Sequence, residues 1–527
     1  MQFVSVDVGT QSVRAALVTD KGRFVKTTSR PLQTWNPQPG FYQQSSDQIW
    51  DACCDAVKEL CRDAKDVSGI GFDATCSLVI LDDAGHPLTV SPKGEPEQNV
   101  VLWMDHRAVS QADTINATGH PVLRFMGGTM SPEMQPPKLL WLKQNIPSTW
   151  ERIGLAMDLS DFLTWRATGS TSRSLCAAVC KWTYHAGTTP GCAMKPGWQD
   201  SIWTCIGLDD LTRDNYRIIG QEFKPPGAPC GNGLSTEAAL ELGLRKGTPV
   251  ATSIIDGHAG GLGLLGCKAD AEFPSVISQR LAIVAGTSAA HMLASDDCIF
   301  TPGAPGPFFS AMVPGMWLSE PGQSAAGALV DHIISTHPAY PHIVAKTKPG
   351  RRAEDTLNDL LHSMSERRGL GTPSQLVADL HVWPDFHGNR SPLADPTLRG
   401  MYGSRHIIET LTNAGHMVSG ILACGGLAKN PLYVRSLADA TGLPVVLPSE
   451  TESVLLGGTI LAASACDRYA SVKEAMLSVG GSGRVLVPQL SERSFHDAKY
   501  AAFHSLLDCQ RRVREIMSSV KAPPSCS

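Results

Sequence analysis

The chain lacks a strong excess of charge of either sign, because its 527 residues include 45 basic and 50 acidic ones. The formal net charge is -5, so no global positive charge is available to hold nucleic acid or an anionic membrane, and we expect neither as a partner. The sequence also lacks a run of about twenty apolar residues, which predicts that no segment spans a bilayer. With 42% hydrophobic and 18% charged residues, the composition excludes wholesale disorder.

The fifteen cysteines lack a Cys-x-x-Cys pair, and the nearest neighbours are Cys53 with Cys54 and Cys176 with Cys180. These spacings fit neither a zinc site nor a small disulfide scaffold. The first seven residues carry no basic region and too short an apolar run for a signal peptide. Together these features predict reduced cysteines and a cytoplasmic protein.

The length predicts two large domains, since a single hydrophobic core rarely grows beyond about 250–300 residues. A Gly-Thr-Pro turn at 247–249 precedes an apolar strand that we expect to end at Asp256. The glycines that follow are expected to form a flexible, tight segment. We therefore place an N-terminal domain at 1–252 and a C-terminal domain at 253–527.

Strands and helices are both expected, which predicts an α/β fold with mixed sheets. Apolar stretches predict three strands in an opening meander and two later strands: 3–8, 13–18, 23–28, 67–73 and 76–82. The last two are expected to pair around a bend at Asp73, and a helix is expected from a cap at Ser46 to about Ala64. In the second half we expect strands at 421–424 and 445–447. We also expect helices there, at 430–440 and 453–466.

The first predicted turn places a carboxylate beside a glycine, hydroxyl groups and a cation: Asp7, Gly9, Thr10, Gln11, Ser12 and Arg14. Glycine lets the backbone approach a ligand closely, and hydroxyl and backbone N–H donors can hold phosphate oxygens. An ordinary hairpin, whose turn also favours Gly and Asp, is the alternative interpretation. The turn is not a P-loop, because the G-x-x-x-x-G-K-[ST] pattern is absent.

Two further glycine turns strengthen the phosphate interpretation. Gly286, Thr287 and Ser288 form a second strand-Gly-Thr-strand pattern, and two such hairpins facing each other would clamp a di- or triphosphate. A third turn runs from strand to helix and contains Gly425, Gly426, Lys429 and Asn430. Each turn alone has an ordinary structural explanation, but the three in this order form a more specific pattern.

With these motifs the chain resembles the FGGY carbohydrate kinases, members of the sugar kinase, Hsp70 and actin superfamily. The resemblance implies two RNase H-like (actin-like ATPase) α/β domains with mixed sheets around a central cleft that binds ATP. It implies that the ATP phosphates contact the two Gly-Thr hairpins, with Arg14 beside the first. It also implies that the adenosine lies near Gly425 and Gly426, with Gly327, Lys429 and Asn430 as further candidates.

By the same resemblance, Asp256 matches the catalytic base of the family. A sugar hydroxyl becomes a good nucleophile only as its proton is removed, and a carboxylate within hydrogen-bond reach can accept that proton. Asp7 and Asp256 are the candidates to hold Mg²⁺, with Asp7 doing so mostly through water. His258 is expected to be structural.

The sugar site rests on further resemblances. The segment 75–79, which contains Ser77, resembles the D-ribulokinase branch. Trp103, Asp105 and Arg107 resemble a sugar-contacting strand, although a core tryptophan beside a surface ion pair is an equal alternative. Three more residues resemble ribulokinase positions that line the sugar pocket: Glu133, Lys181 and Glu320. The alternative interpretation is that each is one half of a surface salt bridge.

The resemblance implies an ATP-dependent kinase that makes D-ribulose 5-phosphate, with ATP and Mg²⁺ as cofactors. Family members carry an insert where residues 398–405 join two matching stretches almost directly, so the C-terminal domain is expected to be shortened there. Three alternatives stay open: another sugar such as L-ribulose, xylulose, ribitol or glycerol, a catalytically impaired isoform, and a nucleotide-dependent regulatory module. A homodimer is a further open possibility.

Overall fold

The computed structural model describes residues 1–62, 66–187, 194–269, 273–378, 380, 391 and 404–518. The strands of this part are β1 Gln2–Val8, β2 Ser12–Thr19, β3 Phe24–Pro31, β4 Gln43–Gln44, β5 Val67–Ala74, β6 Leu78–Leu81, β7 Val100–Val101, β8 Leu155–Asp158, β9 Arg173–Ser174, β10 Phe223–Lys224, β11 Ile254–Ile255, β12 Arg280–Ala285, β13 Ala289–Ser295, β14 Phe308–Phe309, β15 Trp317–Ser319, β16 Gly322–Gln323, β17 Gly420–Cys424, β18 Val445–Pro448 and β19 Gly483–Leu486.

The helices of the same part are α1 Ser46–Cys61, α2 Val109–Ala117, α3 Gln135–Asn145, α4 Pro147–Trp150, α5 Leu159–Thr168, α6 Leu175–Lys181, α7 Asp200–Cys205, α8 Thr236–Leu242, α9 Asp256–Leu265, α10 Gly327–Thr336, α11 Tyr340–Lys346, α12 Ala353–Arg367, α13 Ser404–Asn413, α14 Pro431–Thr441, α15 Ser453–Ala465, α16 Val472–Val479 and α17 Arg493–Ser518. The mixture of helices and sheets confirms the predicted α/β class.

Two larger sheets share one arrangement. In the first, β1 pairs antiparallel with β2 and parallel with β5, giving the order β11-β5-β1-β2-β3. In the second, β12 pairs antiparallel with β13 and parallel with β17. Both antiparallel hairpins turn through a Gly-Thr pair, so the two phosphate-binding candidates occupy equivalent places in related sheets.

The opening meander and the elements of the second half lie where the sequence predicted them, but three details were wrong. The helix cap is Ser45, whose side chain accepts from the N–H of Gln48, one residue before the predicted Ser46. Strands β5 and β6 belong to different sheets, because β6 pairs with β7 and β8. The glycines after Asp256 lie inside α9, where small residues let other elements approach, and do not form a flexible segment.

The predicted division between residues 252 and 253 stays a prediction. Strand β11 still pairs with β5, so the chain leaves the first sheet only after Ile255. Residue 64 and the join at 398–403 lie outside the described residues.

Helices α9 and α15 lie between the two sheets and pack closely through glycines. A Cβ on Gly457 would overlap the carbonyl oxygen of Ala259, and one on Gly263 would overlap that of Ser453. On the other side of α15, a Cβ on Gly71 of β5 would overlap the carbonyl oxygen of Gly458. This backbone-to-backbone contact brings the start of α15 close to the ends of β1 and β5.

We predict that Gly457→Ala destabilises the protein. In an unconstrained helix the change would stabilise by about 1 kcal/mol, but overpacking a rigid contact costs about 1–3 kcal/mol. We therefore expect a lower urea midpoint, because the overlap is with backbone atoms that cannot rotate away. Gly481→Ala is the control, since its added Cβ would meet no atom within 4 Å. A midpoint for Gly457→Ala at or above that of the wild type would contradict the packing argument.

Candidate active site

Three carboxylates meet at one edge of the first sheet. Asp7 of β1 lies opposite Asp73 of β5 in the parallel pair, and both side chains are buried. Ile255 lies opposite Ala74, so Asp256 follows at the same edge as the first residue of α9. The amide of Gly257 donates to Asp256 Oδ1 at 2.7 Å.

Burial and mutual repulsion raise the pKa values of these carboxyl groups. For Asp73, burial and then the charges on Asp7 and Asp256 raise the pKa well above its ordinary value. For Asp256, burial and then the Asp7 charge raise the pKa to about 6, with the Gly257 hydrogen bond opposing the shift. A carboxylate with such a pKa is ionised at neutral pH yet basic enough to take a proton from a hydroxyl.

Arg14 supplies positive charge to this cluster. Its Nε lies 2.8 Å from Asp7 Oδ2, and its Nη1 lies 2.8 Å from Glu452 Oε2. Glu452 directly precedes α15, so the guanidinium joins the first sheet to a helix of the C-terminal half. Sequence reasoning missed both Asp73 and Glu452. Asp73 ends an apolar strand as Asp7 does, which is a usable signal, whereas no local pattern marks Glu452.

The second Gly-Thr hairpin is locked to the segment that starts α10. The amide of Ala326 donates to Thr287 O at 2.8 Å, and that of Gly327 donates to Gly286 O at 3.0 Å. Gly425 packs against the same hairpin with φ +91°, and a Cβ there would lie 2.5 Å from Ala285 O. Only glycine fits this position, so the third turn is held against the second hairpin.

A cavity of about 310 Å³ opens where these turns meet. Five of the predicted nucleotide residues line it: Gly286, Thr287, Gly327, Gly426 and Asn430. Asp331 and Arg352 line it as well and were missed, although Asp331 lies four residues after Gly327 on one helical face. A larger cavity of about 970 Å³ shares Gly426 with it and is also lined by Gly425, Lys429 and Arg14.

Trp103 connects the candidate sugar site to the first hairpin. Its indole Nε1 donates to Thr10 Oγ1 at 3.0 Å, and its backbone N–H donates to Ser77 Oγ at 3.2 Å. The remaining residues of the first turn form a tight loop, in which the amide of Gly9 donates to Ser12 O at 3.0 Å. Trp103 therefore links the candidate sugar site directly to the candidate phosphate-binding turn.

Asp105 and Arg107 form a fully buried ion pair. Arg107 donates from Nε to Asp105 Oδ1 at 2.8 Å and from Nη2 to Oδ2 at 2.7 Å. Its guanidinium also lies 4.4 Å from the ring centre of Phe41. Both side chains of the pair are 0% exposed, so the alternative of a surface ion pair beside a core tryptophan was wrong about the pair, and Trp103 is half-buried. The expected strand was wrong as well, because β7 ends at Val101 and Trp103 lies in a turn.

Two of the other candidate sugar residues are linked to Asp256 through shared neighbours. Burial raises the pKa of the Cys76 thiol to about 12, with the nearby charge of Lys181 opposing and that of Asp256 contributing. The Glu320 carboxylate lies 3.3 Å from the ring of His258, and His258 comes two residues after Asp256 in the chain. Glu133 contacts His106 at 3.5 Å. Lys138, which the sequence analysis did not single out, is buried and donates to Leu102 O at 2.9 Å.

Comparison with known proteins identifies the family. The N-terminal domain of the FGGY family of carbohydrate kinases matches residues 2–263, and the C-terminal domain of that family matches 281–404 and 401–466. The chain belongs to the FGGY family of carbohydrate kinases.

Relatives of this FGGY kinase agree with that assignment. It is 47% identical to the human FGGY carbohydrate kinase domain-containing protein, over 98% of each chain. It is 35% identical to a D-ribulokinase of Saccharomyces cerevisiae, over 90% of this chain and 73% of the yeast protein. A solved xylulose kinase from Rhodospirillum rubrum shares the fold, with a TM-score of 0.77 and 19% identity, over 97% of this chain and 99% of that one.

The FGGY kinase is therefore an ATP-dependent carbohydrate kinase built from two actin-like ATPase domains, as expected. Within the described ranges, no helix combines the length and apolar character needed to span a membrane. The C-terminal family match falls into two segments that meet at 401–404, where the sequence predicted a shortened connection.

We predict that Arg14→Met destabilises the FGGY kinase in a pH-dependent way. Burial raises the folded pKa of Asp7 while Arg14 lowers it, so removing the guanidinium raises that pKa further. A carboxyl group with a higher pKa in the folded chain than in the unfolded chain lowers the free energy of unfolding as the pH rises through those two pKa values. We expect a deficit of about 1–3 kcal/mol near pH 8, since Arg14 is partly exposed, and less near pH 5.

The measurement is the urea midpoint from about pH 5 to pH 8. Arg30→Met is the matched control, because Arg30 pairs with Glu59 at the surface of the same sheet, where such pairs contribute about 0–1 kcal/mol. Equal, pH-independent deficits in the two variants would show that Arg14 does not balance buried charge.

Proposed function

We propose that this FGGY kinase transfers the γ-phosphoryl group of ATP to D-ribulose and forms D-ribulose 5-phosphate. The observation that carries the proposal is the position of Asp256. Its pKa is about 6, it follows β11 at the same sheet edge as Asp7, and it lies two residues before His258, which contacts the candidate sugar residue Glu320. The yeast relative named D-ribulokinase, 35% identical, supports the choice of sugar.

In this proposal Asp256 is the general base. It accepts the proton of the attacking hydroxyl as the oxygen bonds to phosphorus and the bond to ADP breaks. The Gly257 amide fixes one carboxylate oxygen, which leaves Oδ2 free to face the sugar. Burial and the charges of Asp7 and Asp256 raise the pKa of Asp73 well above its ordinary value, which favours its neutral form. In the neutral form Asp73 would add little to the repulsion at Asp256.

Asp7 and Asp256 are the residues that would hold Mg²⁺. The donor set fits this ion, because Mg²⁺ prefers carboxylate oxygens and water, and because clustered buried carboxylates gain from a cation. When bound, Mg²⁺ neutralises charge on the β- and γ-phosphates. Arg14 donates to Asp7 and offsets part of its negative charge. The negative charge of Asp256 would then be available to the ion.

The nucleotide is proposed to lie across the Gly-Thr hairpins. The first turn, Gly9 to Ser12 with Arg14, and the second, Gly286 to Ser288, offer backbone amides and hydroxyls for the phosphates. The adenosine is proposed to occupy the cavity lined by Gly327, Gly426 and Asn430. Gly425 holds this wall in place, and Lys429 lines the larger cavity.

The sugar is proposed to lie between Trp103 and Asp256. Trp103 offers an aromatic face to the C–H groups, and Lys181 and Glu320 offer charged partners for hydroxyl groups. Ser77, Asp105 and Arg107 fit a positioning role, because Ser77 accepts from the Trp103 backbone N–H and the buried ion pair lies in the segment that follows the Trp103 turn. Glu133 is proposed to contact the outer end of the sugar.

The first test is Asp256→Asn. Loss of a general base costs about 10²–10⁴ in rate, so we expect that loss in sugar-dependent ADP release while ATP binding persists. Asp55→Asn, an exposed residue of α1, is the control and should retain full activity. D-Ribulose is compared with L-ribulose, xylulose, ribitol and glycerol.

Two results would contradict the proposal. Full activity of Asp256→Asn would remove Asp256 as the base. ATP binding by a folded wild-type chain with no release on any of these sugars would favour the regulatory alternative.

The pH dependence gives a second test. Because the base must be ionised, kcat/KM should rise with pH through about 6 and then level off. The charge of Arg14 lowers the pKa of Asp256, so Arg14→Met should move this limb to higher pH. Arg30→Met should leave it unchanged. If kcat/KM rose at the same pH in Arg14→Met as in the wild type, the group whose ionisation controls the rate would not be Asp256.

A further inference from the structure

A cluster of side chains able to bind a metal lies near Asp256 in the fold, and one of its three members, Glu320, is also a proposed sugar residue. Cys180 of α6, His258 of α9 and Glu320 after β15 each present a ligand atom, and these atoms lie within 4.8 Å of one another. Cys180 and His258 are each 1% exposed, while the Glu320 side chain is 12% exposed. Three distant chain segments therefore bring a thiol, an imidazole and a carboxylate to one point.

The orientation of His258 suits a ligand. Its Nδ1 lies 3.5 Å from Cys176 Sγ, and its Nε2 faces the cluster, 3.3 Å from Glu320 Oε2. The buried Nε2 has no hydrogen-bond partner with acceptable geometry. Metal-bound histidines use one ring nitrogen on the metal while a second group holds the other. Cys176 occupies that second position, and an ion bound at Nε2 would replace the present contact of Nε2 with Glu320.

We propose that Cys180, His258 and Glu320 bind a zinc-class divalent cation. A sulfur, nitrogen and oxygen set suits Zn²⁺, whereas Mg²⁺ requires oxygen ligands, so this site is distinct from the one at Asp7. Zinc bond lengths of about 2.0–2.3 Å place ligand atoms roughly 3.3–3.8 Å apart, so the cluster contracts by about 1 Å on binding. The three protein ligands leave a fourth position for water.

A cation bound at this site would affect catalysis, and this part of the inference rests on the proposed function. Glu320 is a proposed sugar ligand, and His258 is one helical turn or less from Asp256. A bound cation holds the Glu320 carboxylate and places positive charge beside the sugar pocket. Zinc and D-ribulose therefore exclude each other, and zinc inhibits competitively with the sugar.

The test uses Co²⁺ alone as the probe, added to the folded full-length chain with Mg²⁺ present in excess. Thiolate-bound Co²⁺ gives a ligand-to-metal absorption band, which reports binding without any enzymatic assay. We expect a band at one equivalent, and its loss in Cys180→Ala, with at least about 100-fold weaker binding. Cys53→Ala, which removes a buried thiol of α1, is the matched control and should keep the band.

Two further variants separate the roles. Cys176→Ala should weaken binding by about 10–100-fold and keep the band, as expected for a group that orients a ligand. Glu320→Gln should weaken binding with the band retained, and it serves as the ligand test if Cys180→Ala fails to fold. No band in the wild type, or the same band and affinity in Cys180→Ala, would overturn the site.

D-Ribulose supplies the final arm. Competition predicts that the sugar raises the apparent Kd for Co²⁺. An unchanged Kd with an intact band would overturn only the competition, and loss of kinase activity alone would leave the metal site standing.

Discussion

The structure depends on keeping three carboxylates close together at the edge of one sheet. Asp7, Asp73 and Asp256 are brought together by strand register, and their repulsion is strong because water is largely excluded. Burial and the charges of Asp7 and Asp256 raise the pKa of Asp73 well above its ordinary value, and the Arg14 guanidinium offsets part of the charge at Asp7. Burial and then the Asp7 charge raise the pKa of Asp256 to about 6, which is the range suited to the proposed base. The burial and repulsion that raise these pKa values also cost stability.

The charge balance also requires close packing between the halves of the chain. Glu452 completes the ion pair of Arg14 only because α15 lies against β5 and α9 without intervening side chains. Gly457 and Gly263 allow that approach, and Gly425 does the same for the second hairpin. Glycines with no chemistry of their own thus determine where the charged groups meet.

Local pattern was enough for the elements and for the residues carried by turns. The Gly-Thr hairpins and the strand that ends at Asp256 repeat short, recognisable arrangements of apolar residues and glycine. Contacts between distant segments were not predictable in this way. Periodicity identified β5 and β6 as strands but assigned them to one pair, because it carries no information about which strands share a sheet.

Asp73, Glu452 and the buried state of Asp105 with Arg107 depend on the same long-range pairing. Cysteine spacing likewise gave no sign of a metal site, because Cys180, His258 and Glu320 come from three separate elements. A spacing rule finds ligands that share one loop or helix, and it does not find ligands that only the fold brings together.

The most direct measurement is a crystal structure with D-ribulose, Mg²⁺ and a non-hydrolysable ATP analogue. The account predicts that the 5-hydroxyl of the sugar lies about 2.6–3.2 Å from the Asp256 carboxylate, facing a γ-phosphate held by both Gly-Thr hairpins. A sugar whose 5-hydroxyl lies away from Asp256, with the phosphates outside the two hairpins, would contradict it.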